Sequence, residues 1–129
     1  MPGLKAFQPQ AIVLQLGTDT HFDDPLAHIR SDVLHWLEAV KQLKALGLPT
    51  VALGGGGYNI KNVPRMWTAA CLTLGDIPYD NDVPADLAQA WDMPTYLDEP
   101  QEEKGIGREY AEGVVSWLAT NVHPNIGQG

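Results

Sequence analysis

Cysteine is almost absent from this 129-residue chain, in which Cys71 stands alone. One cysteine excludes an internal disulfide and a four-cysteine zinc site, and it fits a reducing, cytoplasmic environment best. Basic side chains are also scarce, with 8 Lys and Arg against 16 Asp and Glu and a net charge of −8. Nucleic acid is therefore not expected as a partner, because neutralising phosphates requires clustered Lys and Arg.

Long apolar runs are missing as well. No stretch of the sequence reaches the roughly 18 apolar residues that a membrane span requires. The first ten residues, MPGLKAFQPQ, lack the basic start and the long apolar core of a signal peptide. We therefore expect no membrane partner and one globular domain over residues 1–129, a length that can bury a core without disulfides.

The first part of the chain alternates between strand and helix patterns. Ala11–Leu16 and Thr50–Leu53 are short apolar runs typical of strands buried on both faces. Apolar residues at helical spacing follow Ser31, a plausible N-cap, and Asn62 is a plausible cap for a second helix that ends near Leu74. These patterns predict an α/β fold with a strand–helix–strand–helix core over residues 7–75 and parallel strands joined by a right-handed crossover. The predicted apolar face of the second helix consists of Val63, Met66, Trp67, Ala70, Cys71 and Leu74.

The second part of the chain has a different character. Residues 76–107 are rich in acids and prolines, which indicates an irregular segment with at most a short helix near Ala85–Ala90. Gly105–Gly107 opens a last amphipathic helix over residues 108–119, and the tail NIGQG is expected to fray. The apolar stripe of that helix consists of Tyr110, Val114, Trp117 and Leu118.

Two loops leave the carboxyl ends of the predicted strands, GTDTHFDDPLAH after the first and GGGGYN after the second. Ligands of open parallel sheets bind beyond those ends, so Asp19 and Tyr58 are expected at the same rim. A carboxylate is a hard metal ligand or a base, and a phenol can donate one hydrogen bond to an oxygen. The pair is a reasonable basis for metal-assisted attack on a carbonyl.

Each of these features also has an ordinary structural interpretation. An aspartate just after a strand commonly forms a turn, and a tyrosine commonly packs in a core. His21 and His28 could bind metal, but a solvated loop histidine is commoner. Asp23 and Asp24 are adjacent and point different ways, so a catalytic pair of carboxylates is not expected. The glycines could cradle a phosphate. However, GGGGYN lacks both the P-loop Lys-Ser/Thr and the dinucleotide glycine spacing, so a nucleotide- or phosphate-binding domain is a distant alternative.

The two loops together are far more specific than either alone. The segments AIVLQLGTDTHFDDPLAH and LGGGGYNIKNVPRMWT, followed by WDMPTYLDEP, resemble the zinc-dependent histone deacetylase superfamily. The similarity is greatest to the bacterial acetoin-utilisation deacetylases and covers about residues 7–100. It implies a partial arginase/deacetylase-like fold, a short parallel sheet with flanking helices.

The resemblance implies roles for five residues. Asp19 matches the aspartate that supplies one zinc ligand, and Tyr58 matches the tyrosine that hydrogen-bonds the substrate carbonyl as it becomes an oxyanion. Leu26 matches a residue that lines the acyl-lysine channel. Gly56 and Gly57 match glycines beside that channel, where a side chain would obstruct the substrate or the tyrosine ring. A donor aimed at developing charge stabilises it most in a water-poor site.

Two motifs of that family are missing from this sequence. The family's zinc site also uses an Asp-x-His motif upstream of the position of Asp19, and its acid–base catalysis uses two adjacent histidines. Neither occurs here, and His35 and His123 match no family position. Catalytic zinc sites use three protein ligands. We therefore expect a C-terminal part of a zinc-dependent deacetylase for acetyl-lysine or acetylated amines, which does not hold zinc stably and is catalytically incomplete alone.

An incomplete parallel sheet would leave apolar surface and unpaired strand edges exposed. We therefore expect the chain to form a homo-oligomer or to bind a complementary fragment. The alternative function is a non-catalytic, self-associating α/β module.

Overall fold

The computed structural model describes residues 2–99 and 107–126. Its elements are α1 (Pro2–Phe7), β1 (Ile12–Leu16), α2 (Val33–Lys44), β2 (Thr50–Gly54), α3 (Asn62–Leu74), α4 (Ala85–Trp91), α5 (Arg108–Asn121) and a 3₁₀ turn (His123–Asn125). Strands β1 and β2 form a two-stranded parallel sheet flanked by helices. The predicted α/β class and strand–helix–strand–helix order are confirmed, whereas α1 was not among the predicted elements.

The chain divides into two compact units. One consists of Met1–Ile12 and Glu102–Gly129, and the other of Val13–Gln101. In the first unit, α1 and α5 each contact the 3₁₀ turn. Helix α5 has no buried residue, so its predicted apolar stripe stays largely exposed, with Tyr110 and Trp117 facing solvent.

The core of the second unit lies between β1, α2 and α3. Helix α2 buries Val33, Leu37 and Val40, as its spacing predicts, and the core continues through Leu16, Ala69 and Ala70. On α3 the predicted face is partly wrong. Met66 and Ala70 are buried as predicted, but Cys71 is exposed, and Asn62, Arg65 and Ala69 are buried in addition. The buried face is rotated because Asn62 and Arg65 enter a polar cluster described below.

Neither predicted residue is the N-cap of its helix: the caps are Asp32 for α2 and Lys61, which makes no side-chain cap bond, for α3. Asp32, not Ser31, is the N-cap of α2, and its carboxylate accepts the His35 backbone N–H at 2.8 Å. Before α3, the side-chain oxygen of Asn59 accepts the N–H groups of Lys61 at 2.9 Å and Asn62 at 3.2 Å. Short polar side chains can satisfy the free N–H groups of a helix start from any of these positions, so sequence alone places a cap only to within a few residues.

One face of the sheet is uncovered in the part of the chain that the structure describes. Leu14 and Leu16 of β1 pack toward the helices, whereas Val13 is 71% exposed. On β2, Val51 and Leu53 are 58% and 50% exposed. We refer to Val13, Val51 and Leu53 as the open sheet face. The prediction of strands buried on both faces is therefore wrong for this structure: Leu16 is the one buried residue of the two strands, and all five residues of β2 are exposed.

The remaining predictions concern the second part of the chain. Helix α4 lies where a short helix was predicted, and α5 begins at residue 108 as expected. Residues 100–106, with Gly105 and the end of WDMPTYLDEP, and the tail residues 127–129 lie outside the described residues. None of the helices within residues 2–99 and 107–126 is long and apolar enough to cross a membrane.

Candidate functional site

The loops that follow β1 and β2 are joined at the ends of the strands. The backbone N–H of Thr18 donates to the Gly56 carbonyl at 2.7 Å. Two indoles hold the end of β1 from the helix side: Trp36 Nε1–H donates to the Gly17 carbonyl at 2.9 Å and Trp67 Nε1–H to the Leu16 carbonyl at 2.7 Å. The end of β1 and the start of the loop after it are therefore fixed by hydrogen bonds from both helices.

Two positions of the GGGGYN loop have no room for a side chain, because the loop after β1 packs against them. A Cβ on Gly56 would lie 2.1 Å from Oδ2 of Asp19, and one on Gly57 would lie 2.1 Å from the Thr18 hydroxyl. Gly57 also has φ 150°, a conformation that favours glycine. The nearest atoms belong to the first loop and to Val63, so the structure provides a different reason for these glycines from the one implied by the resemblance.

Asp19 is half-buried, and its carboxylate lies against Gly17 and Gly56. No hydrogen bond to this carboxylate is present within the described residues. Those residues also contain no group of three His, Cys, Asp or Glu side chains that could hold a metal ion. The described part of the chain therefore does not by itself provide the three protein ligands of a catalytic zinc site.

Tyr58 and Leu26 are both exposed at this edge of the sheet, Tyr58 to 54%. Tyr58 also lines a cavity of about 660 Å³ beside α3 and α4, whose other walls include Ile60, Val63, Leu87, Trp91 and Tyr96. The Tyr58 hydroxyl has no hydrogen-bond partner in the part of the chain that is described. A free phenol at the end of a strand can donate to a bound oxygen.

Asp24 connects the first loop to Tyr58. Its Oδ1 accepts the N–H groups of Leu26 at 2.9 Å and Ala27 at 3.0 Å, and its Oδ2 accepts the N–H of Tyr58 at 2.9 Å. Burial acts to raise the pKa of Asp24, but these backbone N–H groups outweigh it and hold the pKa below its ordinary value. Asp24 is therefore a carboxylate at neutral pH with three donors on it.

His21 is neither a solvated loop histidine nor free to bind a metal. Its ring is fully buried, and Nδ1 accepts the Asp23 N–H at 3.1 Å and lies 2.8 Å from the Asn62 amide nitrogen. Because Nδ1 accepts, we assign the proton to Nε2, which donates to Asp98 at 3.1 Å and also lies 3.1 Å from Nη2 of Arg65. Both ring nitrogens are thus occupied, so the expectation of a solvated histidine is wrong.

Asp98 is the centre of this polar cluster, which we call the His21–Arg65–Asp98 cluster. Its carboxylate accepts from His21, from the Val33 backbone N–H at 2.8 Å and from the Arg65 guanidinium. The Asp98 and Arg65 side chains are each only 10% exposed. The cluster ties the first loop, the start of α2, α3 and the segment after α4 into one structure.

These contacts also determine how Asp98 titrates. Burial acts to raise its pKa, but the hydrogen bonds from His21, the Val33 backbone and Arg65 outweigh that effect and lower the pKa to about 2. A carboxyl whose pKa is lower in the folded state stabilises the fold above its unfolded pKa, which for aspartate is about 3.9. That stabilisation is lost as pH falls from about 4 toward 2.

We therefore expect acid to destabilise the chain partly through Asp98. The free energy of unfolding, measured by urea titration with circular dichroism, should fall between about pH 5 and pH 2. In Asp98→Asn, which has no carboxyl to protonate, the fall should be shallower. Parallel curves for the two proteins would contradict the assignment.

Sequence reasoning missed both Asp24 as a connector and the His21–Arg65–Asp98 cluster. Asp98 lies within WDMPTYLDEP, so the resemblance offered a signal for it, but nothing in the sequence indicated its partners. The other histidines have no comparable role. His28 is exposed, and the exposed ring of His35 lies 2.7 Å from the capping carboxylate of Asp32.

Comparison with known proteins bears on this site. The histone deacetylase domain matches residues 1–74. The chain is 38% identical over 78 residues to a putative histone deacetylase 2 of Caenorhabditis elegans and 37% identical over 81 residues to human histone deacetylase 1. The matches cover 60% and 63% of this chain but 15% and 17% of those relatives. Histone deacetylase B of Dictyostelium discoideum is 36% identical over 78 residues, which is 18% of its length.

Proposed function

This chain belongs to the histone deacetylase family, and from that premise we propose that it forms part of a zinc-dependent deacetylase domain. The substrate class would be acetyl-lysine or small acetylated amines, in which the domain hydrolyses an amide. The described residues hold no complete zinc site. In this proposal the remaining ligands and the acid–base groups come from the rest of the deacetylase domain. We expect the chain alone to be inactive on acetylated peptides.

One observation carries this proposal: the two loops are joined at the strand ends with a free carboxylate and a free phenol on them. The Asp19 carboxylate lies against Gly56 and accepts no hydrogen bond within the described residues. Tyr58 follows two residues later, and its hydroxyl has no hydrogen-bond partner among residues 2–99 and 107–126. In the proposed domain, Asp19 provides one metal ligand, and Tyr58 donates to the substrate oxygen as negative charge develops on it. Leu26 and the backbones of Gly56 and Gly57 border the acyl channel.

The same geometry disfavours a phosphate site. Phosphate-binding glycine loops present backbone N–H donors to the anion. Here the Asp19 carboxylate lies against Gly56, and the N–H of Tyr58 already donates to Asp24. A second negative charge at this position would be repelled.

A chimaera tests the proposed function. Residues 13–99 would replace the matched region of human histone deacetylase 1, so that the relative provides the rest of the domain. The graft extends to residue 99 because the His21–Arg65–Asp98 cluster requires Asp98. We expect the chimaera to release acetate from an acetyl-lysine peptide in a zinc-dependent reaction. A folded, zinc-loaded chimaera without turnover would refute the proposal.

A second proposal concerns the partner. The open sheet face exposes Val13, Val51 and Leu53, and the matches span only 15–18% of the relatives' length. We propose that the rest of a deacetylase domain covers this face.

Without the rest of the domain, we expect the isolated chain to self-associate, because exposed apolar faces and strand edges pair readily. Sedimentation at increasing concentration should show a rising average mass, and Val51→Lys should lower it. A monomer at every concentration would contradict the proposal.

Several finer expectations stay predictions. These are the C-terminal position within the domain, the special similarity to bacterial acetoin-utilisation deacetylases, the weak zinc binding of the isolated chain and the cytoplasmic location. Metal analysis of the purified chain tests the third directly.

A further inference from the structure

The link between Asp24 and Tyr58 has a consequence for the proposed site. The carboxylate lies in the loop after β1, and the N–H that it accepts belongs to the loop after β2, 34 residues later. Asp24 is 9% exposed, so this hydrogen bond is partly shielded from bulk water. The bond is charge-assisted, and such bonds are stronger than those between neutral groups.

The two oxygens of Asp24 have separate tasks. Oδ1 accepts from Leu26 and Ala27 and forms the local turn that presents Leu26. Oδ2 accepts from Tyr58 across the two loops. One carboxylate thereby sets the position of Leu26 relative to Tyr58, and no other side chain of the described residues hydrogen-bonds the Tyr58 backbone.

We propose that Asp24 is a positioning residue, which holds the Tyr58 backbone in register with the turn at Leu26. The proposal rests on the proposed function for its catalytic meaning, because Tyr58 would act on substrate and Asp24 would not. Gly57, directly before Tyr58, has φ 150°, and a glycine by itself restricts backbone rotation very little. Without an anchor after it, the tyrosine would sample several positions.

The substitution Asp24→Asn separates the two tasks. The asparagine Oδ1 can still accept from Leu26 and Ala27, but its amide nitrogen then faces the N–H of Tyr58, donor against donor. Asp24→Ala removes both tasks. Asp23→Asn is the matched control, since the neighbouring side chain is exposed and makes no hydrogen bond within the described residues.

Amide hydrogen exchange by NMR on the full chain tests the inference. In Asp24→Asn, exchange at Tyr58 should accelerate about tenfold or more, and its amide resonance should move upfield, while Leu26 and Ala27 keep their protection. In Asp24→Ala all three amides should accelerate, and in Asp23→Asn none should. Unchanged Tyr58 exchange in Asp24→Asn, or equal acceleration throughout the loop, would overturn the inference.

This measurement needs neither metal nor turnover, so it stands if the chimaera proves inactive. In an active chimaera, Asp24→Asn should lower kcat while KM stays close to the parent value. An unchanged kcat, with the Tyr58 amide freed, would show that Asp24 has no positioning role in catalysis.

Discussion

Asp98→Asn is expected to lower the free energy of unfolding by about 3–5 kcal/mol, the typical effect of removing one partner of a buried ion pair. The total free energy of unfolding of a small domain is only roughly 5–15 kcal/mol. The substitution keeps the shape of the side chain but removes the charge that faces Arg65. All three partners of the carboxylate are donors, so the new amide NH₂ meets a donor in either orientation. Urea unfolding at neutral pH, followed by circular dichroism, measures the loss.

Asp92→Asn is the matched control for this prediction. Asp92 also pairs with a cation, Lys61 at 2.7 Å, but its side chain is 92% exposed. Its backbone is left-handed, a conformation that asparagine tolerates as well as aspartate does. Exposed ion pairs contribute little, so the control should unfold nearly as the parent does. An equal decrease in the free energy of unfolding in both variants would show that the buried cluster stabilises the fold no more than an exposed ion pair does.

Tyr58→Phe in the chimaera is expected to lower kcat by about 10²–10³-fold, the usual cost of removing one oxyanion donor. The ring stays, and only the hydroxyl that would face the developing charge is lost. KM should change little, because the donor acts mainly in the transition state. Steady-state kinetics on an acetyl-lysine peptide separate the two parameters.

Tyr79→Phe is the control for the tyrosine. It removes a hydroxyl whose contact is a long one, 3.4 Å to Thr73, and it keeps the edge-to-face packing on Tyr96. Its kcat should equal that of the parent chimaera. A Tyr58→Phe chimaera that retains full kcat would refute the role of the phenol while leaving the family membership untouched.

The secondary structure was largely predictable because its signals are local. Val33, Leu37 and Val40 share one face of a helix through spacing alone, and the two apolar runs become β1 and β2. The caps and the α3 face were less predictable, since a cap depends on which nearby side chain reaches the free N–H groups. Cys71 belongs to the predicted apolar face but is exposed. Arg65 is buried because its guanidinium pairs with the Asp98 carboxylate.

What the sequence by itself determined is the α/β class, the order of the elements, and the family resemblance carried by Asp19, Tyr58 and the glycines. Tertiary structure alone decided that His21 meets Asp98, 77 residues away, and that Asp24 holds the Tyr58 backbone. It also decided which sheet face stays open. The physical reason is that periodicity and turn chemistry act over a few neighbouring residues, whereas a buried charge is tolerated only where folding brings its partners, and no local pattern encodes that meeting.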